Sequence, residues 1–422
     1  MERSALICWL LFGVTYCGIA AGGLPGLAID RTGIALLGAI AMVTTGVLPL
    51  PEAMAALDAP TLLLLFGLML VSAQLSLSGF YTRIAWSLGR LAAYPQRFLL
   101  VLMITSGALS AVLVNDIVCL AFTPVVVAVT SRAGLRPVPY LLGLACASNI
   151  GSGMTLIGNP QNMLIGQLAR LDFGGFLVWC ALPVLVSLAM AYGLLLWLYR
   201  NRLRACPAPR SLDGPPPQPA AGVPHNPGAN GTWQMRKGLW VAGGVILLFF
   251  TGIPREITAL TAGGLLLCSR SMDTRRLLGR IDWSLILLFC GLFVVIAGLE
   301  STGLPALLLN GMARHGLSLT DPVTATVVGS VLSNLVSNVP AVMLLIRFMQ
   351  DATAELWYVL ALASTFAGNF ITIGSIANLI VIEQARTLGV VITFREHART
   401  GVPVTGMSLL TVMAWGWLLH LR

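Results

Sequence analysis

Long apolar text without charge constrains this chain more than any other feature. Phe176–Tyr199 contains no Asp, Glu, Lys or Arg, Thr61–Ala73 contains none, and Ile281–Leu299 contains only Asp282. A helix needs about 20 apolar residues to cross bilayer hydrocarbon. Charged residues make up 10% of the chain, against roughly a quarter in soluble domains. The expected fold is therefore an all-α polytopic membrane protein, with the lipid bilayer as its first partner.

The formal charge of +9 does not point to nucleic acid. Lys237 is the only lysine among 25 basic residues, and no basic run is interleaved with aromatics. The arginines instead sit in short stretches between apolar runs, as topology signals do. The cysteines Cys8, Cys17, Cys119, Cys146, Cys180, Cys206, Cys268 and Cys290 are scattered singly, and His225, His315, His397 and His420 lie far apart in expected loops or at the terminus. Neither a zinc site nor a disulfide framework is indicated. Residues 1–22 share features with a signal peptide. They are read as the first span because they are nearly long enough to cross and the repeat described next requires them.

Hydropathy places spans near 4–22, 32–50, 60–79, 138–169 and 172–200, then near 237–254, 256–270, 281–300, 356–386 and 401–421. Between the two sets, residues 201–236 form a Pro/Gly-rich flexible linker. The halves 1–200 and 237–422 resemble each other. Thr61–Gly79 matches Ser284–Gly303 at an offset near 224, Leu109–Asn115 matches Leu332–Asn338 at 223, and Ala147–Asn162 matches Ala363–Asn378 at 216. Each half has five spans plus one broken segment, so the second half runs inverted relative to the first, an architecture of many secondary transporters. Nineteen of the 25 basic residues then fall on the linker face. By the positive-inside rule the linker is cytoplasmic and both termini are outside, in the inner (plasma) membrane.

The broken segments carry the chemistry. Asn115-Asp116 splits 98–131, and Ser337-Asn338 splits 321–349. The arms are marginal for crossing, which predicts a re-entrant hairpin in each half, entering from the linker face in the first and from the opposite face in the second. Polar tips are tolerated only where protein or water surrounds them. The stretches 147–162 and 363–378 are rich in Gly, Asn, Ser and Thr, and Gly151, Gly153, Gly158 and Pro160 do not fit one continuous helix. Each predicts a helix unwound in the membrane, presenting carbonyls and Asn oxygens to a cation and helix N-termini to an anion. Small polar residues also serve plain helix packing, but their repetition across inverted halves favours a transport site. Asp116, opposite Val339 in the other half, reads as a cation ligand or proton carrier, with a simple helix cap as the alternative. Glu300 and Glu383 are weaker candidates, and Arg347 reads as interfacial.

These residues resemble those of the ion transporter superfamily, which includes citrate and dicarboxylate carriers, arsenite permeases and some sodium/proton antiporters. The resemblance rests on Val114-Asn115-Asp116 with Thr123-Pro124, on Ser148–Gly151 with Ile157–Asn162, on Ser333-Asn334 with Ser337–Pro340, and on Gly368-Asn369 with Ile373–Ser375 and Ala377-Asn378. It implies an elevator-type carrier, usually a homodimer, for a small anionic solute, coupled to sodium or protons and without other cofactor. It also implies cation binding at Asn115, Asp116, Asn162, Asn338 and Asn378, with sodium possible there. Substrate binding is implied at Ser148, Asn149, Gly158, Asn159, Ser337, Ser364, Thr365, Asn369 and Gly374. Dicarboxylate carriers read Ser-Asn-Thr at each tip, whereas this chain reads Val-Asn-Asp and Ser-Asn-Val. That departure weakens dicarboxylate as substrate, and the Asn-Asp pair is more similar to the arsenite branch. A sodium/proton antiporter without anion substrate and an arsenite efflux permease stand as alternatives. Lys237 lacks a GxxxxGK[ST] context and no soluble nucleotide domain serves Asp30-Arg31-Thr32-Gly33, so an ATP-driven pump is not expected. No clustered catalytic residues suggest an enzyme. Saturable, gradient-coupled flux would separate a carrier from a channel.

Overall fold

The computed structural model describes residues 2–23, 27–203, 231–269, 272–303, 311, 318–349 and 352–420. Most of the linker, together with His225 and His315, lies outside the described residues. Those residues are helical, with no strand among them. Among the described residues, seven helices are long and apolar enough to cross a membrane, and shorter helices and two hairpins complete the fold. The first half contains α1 (Glu2–Ala21), α2 (Arg31–Thr44), the short α3 (Leu50–Ala55), α4 (Ala59–Leu77), α5 (Phe80–Leu88), the hairpin α6 (Pro95–Val112) and α7 (Asn115–Arg132), the broken pair α8 (Val138–Ser152) and α9 (Pro160–Leu168), α10 (Phe173–Leu198) and a final turn α11 (Arg200–Leu203). The second contains α12 (Gly231–Leu248), α13 (Arg255–Leu267), α14 (Thr274–Leu278), α15 (Trp283–Ser301), the hairpin α16 (Pro322–Val336) and α17 (Asn338–Phe348), the broken pair α18 (Ala354–Ala367) and α19 (Ile376–Thr387), and α20 (Phe394–His420).

Local chemistry sets these boundaries, and it does so at matching positions in the two halves. Asp58 caps α4, accepting from Thr61 N at 2.8 Å, and Asp282 caps α15, accepting from Leu285 N at 3.0 Å. Each aspartate satisfies an N–H that the helix itself leaves orphaned. α4 packs on α13 where Gly67 meets the Ala259 backbone, and α15 packs on α2 where Gly291 meets Ala35. A Cβ at either glycine would collide with that backbone, so the same close crossing recurs 224 positions apart.

Three boundaries differ from expectation. The span expected at 237–254 is Gly231–Leu248, so its first turns come from residues assigned to the linker. The span expected at 32–50 ends at Thr44, because Gly46 turns the chain at φ 75° and Pro49 starts the separate α3. The span expected at 401–421 begins at Phe394, and His397 lies inside it rather than in a loop. The cause is a capping box. Glu396 N donates to Thr393 Oγ1 at 3.2 Å, and Thr393 N donates back to Glu396 Oε2 at 3.4 Å. α10 and α20 then run side by side, tied by Trp415 Nε1 donating to Trp179 O at 3.1 Å and by Tyr199 Oη and Thr400 Oγ1 at 3.3 Å.

Candidate functional site

Both hairpin tips and both helix breaks meet in the interior. The first tip docks against its own half: Asn115 N donates to Gly158 O at 3.3 Å, and Ser148 Oγ donates to Asn115 O at 3.3 Å. Ser110 and Ser148 hydroxyls lie 2.7 Å apart. Gly158 packs on the carbonyls of Ser152 and Ser110, and Gly151 packs on the backbone of Gly107, so neither position has room for a Cβ. The second tip uses a side chain for the same purpose. In the amide orientation that satisfies both partners, Asn338 Nδ2 donates to Ser364 O at 3.1 Å and Gly374 O at 3.2 Å. Ser337 occupies the turn at φ 77°.

Asn162 and Asn378 close the two breaks in the same way. Asn162 Nδ2 donates to Ser152 O at 3.3 Å and Thr155 O at 3.1 Å, and Asn378 Nδ2 donates to Gly368 O at 2.7 Å and Ile371 O at 3.3 Å. These are corresponding carbonyls 216 positions apart. Each asparagine satisfies groups that unwinding leaves unpaired within the membrane. Asn159 and Ser375 cap the helices that restart after the breaks, accepting from Asn162 N at 2.8 Å and Ala377 N at 3.2 Å.

Asn149 and Thr365, also 216 apart, join the halves. Asn149 Nδ2 donates to Asn369 Oδ1 at 2.9 Å and Asn378 Oδ1 at 3.0 Å, while its Oδ1 accepts from Ser375 Oγ at 2.9 Å and Asn115 Nδ2 at 3.4 Å. Reciprocally, Thr365 Oγ1 accepts from Asn159 Nδ2 at 3.1 Å and Gln161 Nε2 at 3.4 Å, and donates to Asn162 Oδ1 at 3.4 Å. One continuous amide and hydroxyl network results. The Asn162 and Asn378 groups, expected at separate tips, are linked through it. Ser375, Gln161, Ser110 and Ser152 belong to it as well, although the sequence reading, which included them in its motifs and repeat blocks, gave them no binding role. Ser375 was legible, because it stands 216 positions after Asn159.

The network is buried and contains no basic side chain. His397 reaches it only through Nε2, 3.2 Å from Asn369 O. Acceptors are in surplus at the tips: Asn115 Oδ1, Asn334 Oδ1 and Ser333 Oγ are buried without a partner, as is the donor Asn369 Nδ2. Buried polar atoms left unpaired in this way ask for an occupant. Asp116, half-buried at the first tip, makes no hydrogen bond or ion pair with the described residues. Four helices, α7, α9, α17 and α19, begin at this centre, and α6, α8, α16 and α18 end there. Positive helix ends and free carbonyls therefore converge together.

Both faces hold a cavity, and one of the two reaches a hairpin tip. On the linker face a cavity of about 420 Å³ runs between Ile19–Gly22, Asp30–Thr32 and Asp282–Leu288 up to Ser337, Val339 and Pro340 at the second tip. Beside the first tip, Leu68, Val71, Ser72, Val114, Ile157 and Val245 enclose only about 10 Å³. The opposite face keeps a shallow vestibule of about 730 Å³ around Asp58, Gln167–Phe173 and Arg255, and neither hairpin tip lines it.

The profile of the citrate transporter family matches residues 8–367. The chain is similar to the silicon efflux transporter LSI3 of Oryza sativa subsp. japonica, 31% identical over 469 aligned positions covering 93% of this chain and 94% of the relative. It is also similar to the inner membrane protein YbiR of Escherichia coli K12, 29% identical over 334 positions, 78% of this chain and 81% of that one. The solved YdaH transporter of Alcanivorax borkumensis, described as having an unusual topology, superposes with a TM-score of 0.56 at 14% identity, covering 100% of this chain and 98% of that one, a likeness of fold. With several apolar helices long enough to cross a membrane and two polar hairpins around its two breaks, this chain is a multi-pass membrane transporter belonging to the citrate transporter family.

Proposed function

We propose that the protein is a secondary active carrier that moves a small anion against or along a sodium or proton gradient. The convergence of four helix N-termini with unpaired acceptors at both tips carries this reading. N-terminal helix ends stabilise negative charge without a fixed cation. The free oxygens of Asn115, Asn334 and Ser333 suit a hard cation such as sodium. The hairpins and broken helices would carry the site past α1, α2, α4, α12, α13 and α15 in an elevator-type stroke. Two such subunits would form the dimer, with the linker cytoplasmic and both termini outside.

Asp116 favours a second reading, export of a weakly acidic, uncharged oxyacid coupled to protons. A carboxylate at the tip opposes an anion but can exchange a proton. The name of the rice relative, a silicon efflux transporter, fits that chemistry.

Uptake into proteoliposomes separates the readings. Labelled citrate, succinate, sulfate, arsenite and silicic acid would be offered under imposed sodium or proton gradients. Saturable flux of an anion that follows one gradient supports the first reading, and flux of arsenite or silicic acid only supports the second. If a sodium gradient drives proton movement while no solute moves, the protein is an antiporter and both readings fail.

A further inference from the structure

Two arginines at equivalent positions, Arg255 and Arg31, each line a cavity but differ in what they bind. Arg255 begins α13 on the face opposite the linker. Its Nη2 donates to Leu171 O at 2.6 Å and Gly166 O at 3.3 Å, holding the last turn of α9 against α13. Beside it, Gln167 Nε2 donates to Glu256 at 2.9 Å. These bonds join the broken helix to the α4–α13 pair at the wall of the 730 Å³ vestibule, between it and the first tip. Arg31 begins α2, 224 positions earlier, on the linker face. It lines the 420 Å³ cavity and makes no hydrogen bond or ion pair with the described residues.

The element facing Arg31 across that cavity is α19, the counterpart of α9. Ile376 and Leu379 of α19 line the cavity. Glu383, one helical turn beyond Leu379, continues the same face, and it stands 216 positions after Gln167. α19 runs 12 residues where α9 runs 9. Its carbonyls near Glu383 are therefore still used within the helix, and the carboxylate is the acceptor it can offer. At present that carboxylate only approaches Arg386, at 4.0 Å and well exposed.

From this juxtaposition we infer that Arg31 and Glu383 form the latch of the opposite state, pairing across the linker-side cavity when it closes, while Arg255 releases Gly166 and Leu171. Inverted repeats have two packings of nearly equal energy, one the mirror in topology of the other. Arg255 selects the linker-open packing and Arg31 with Glu383 selects the linker-closed one. Both are positioning residues for transport, and the assignment rests on the carrier reading.

The test reads conformation without needing a solute, so it can fail independently of that reading. In a chain with Cys17, Cys206 and Cys268 replaced by Ser, Ala20→Cys reports the linker-side cavity through its rate of reaction with a maleimide in detergent. Arg255→Gln should slow this labelling about threefold or more, and adding Arg31→Gln should restore it. An unchanged rate in Arg255→Gln, or a double variant as slow as the single, overturns the inference. As a second measurement, Thr32→Cys with Glu383→Cys in the same background should form a disulfide under mild oxidant. Formation of that bond, faster when Arg255→Gln is added, supports the latch. Failure to form it under oxidant overturns the latch even if Arg255→Gln proves too unstable to purify.

Discussion

Asn149 joins the two halves, and removing its amide should loosen the whole centre. The side chain is 2% exposed. It makes three hydrogen bonds of 2.9, 3.0 and 2.9 Å, to Asn369, Asn378 and Ser375, and a longer one of 3.4 Å from Asn115. Side-chain hydrogen bonds between membrane helices average about 0.6 kcal/mol and reach about 1.7. Stranding a buried polar partner adds about 1–3 kcal/mol. Asn369 is the exposed flank of this arithmetic, since its Nδ2 already lacks a partner and loss of Asn149 would leave its Oδ1 bare too. Asn149→Ala is therefore expected to destabilise the protein by about 3 kcal/mol. Asn378→Ala should show the coupling directly, because that residue keeps its own bonds to Gly368 O and Ile371 O until it is removed. In a double-mutant cycle measured by reversible unfolding in mixed detergent micelles, the pair should be non-additive by about 1 kcal/mol. Additivity within about 0.3–0.5 kcal/mol would refute the claim that Asn149 binds the second break.

Four further outcomes are expected. Gly158→Ala forces a Cβ onto the carbonyls of Ser152 and Ser110 and should lower the unfolding free energy by about 3 kcal/mol. Gly243→Ala in α12, with nothing within 4 Å of the added carbon, should be neutral or stabilise by up to about 1 kcal/mol in the same assay. Glu300→Gln breaks the 3.2 Å pair with Arg347, whose side chains are 30% and 27% exposed, and should cost no more than about 1 kcal/mol in that unfolding measurement. Asp116→Asn should leave the protein folded, as judged by the same unfolding midpoint. In proteoliposomes it should abolish gradient dependence of solute flux, and undiminished coupling would remove Asp116 from the transport cycle.

Much of this architecture was legible in one dimension. Apolar runs interrupted by Asn115-Asp116 and Ser337-Asn338 can only be helices that stop short, because lipid cannot satisfy a polar turn. The glycine and proline clusters at 151–160 announce a break for the same reason, and the recurrence of their spacing announces the second half. Asn162 and Asn378 were singled out as cation ligands, and the structure shows in addition that their Nδ2 groups tie the free carbonyls of the breaks. Thr45–Pro49 and the Thr393–Glu396 capping box were local signals too, and they were overridden by the hydropathy of the longer window.

What the chain order determined by itself, then, is the set of helices, their interruptions and their duplication, all of which follow from local hydrogen-bonding needs in lipid. The tertiary structure alone decided how the breaks meet. That Asn149 bonds to Asn369, Asn378 and Ser375 depends on two breaks packing back to back, a contact between residues 220 or more positions apart. It also decided which arginine is engaged. Arg31 and Arg255 hold equivalent places in their halves, so the sequence offers both latches equally. Only the packing engages Arg255 with Leu171 and Gly166 and leaves the Arg31 side chain without a hydrogen bond or ion pair to the described residues, because those contacts join segments 84 and 89 positions apart.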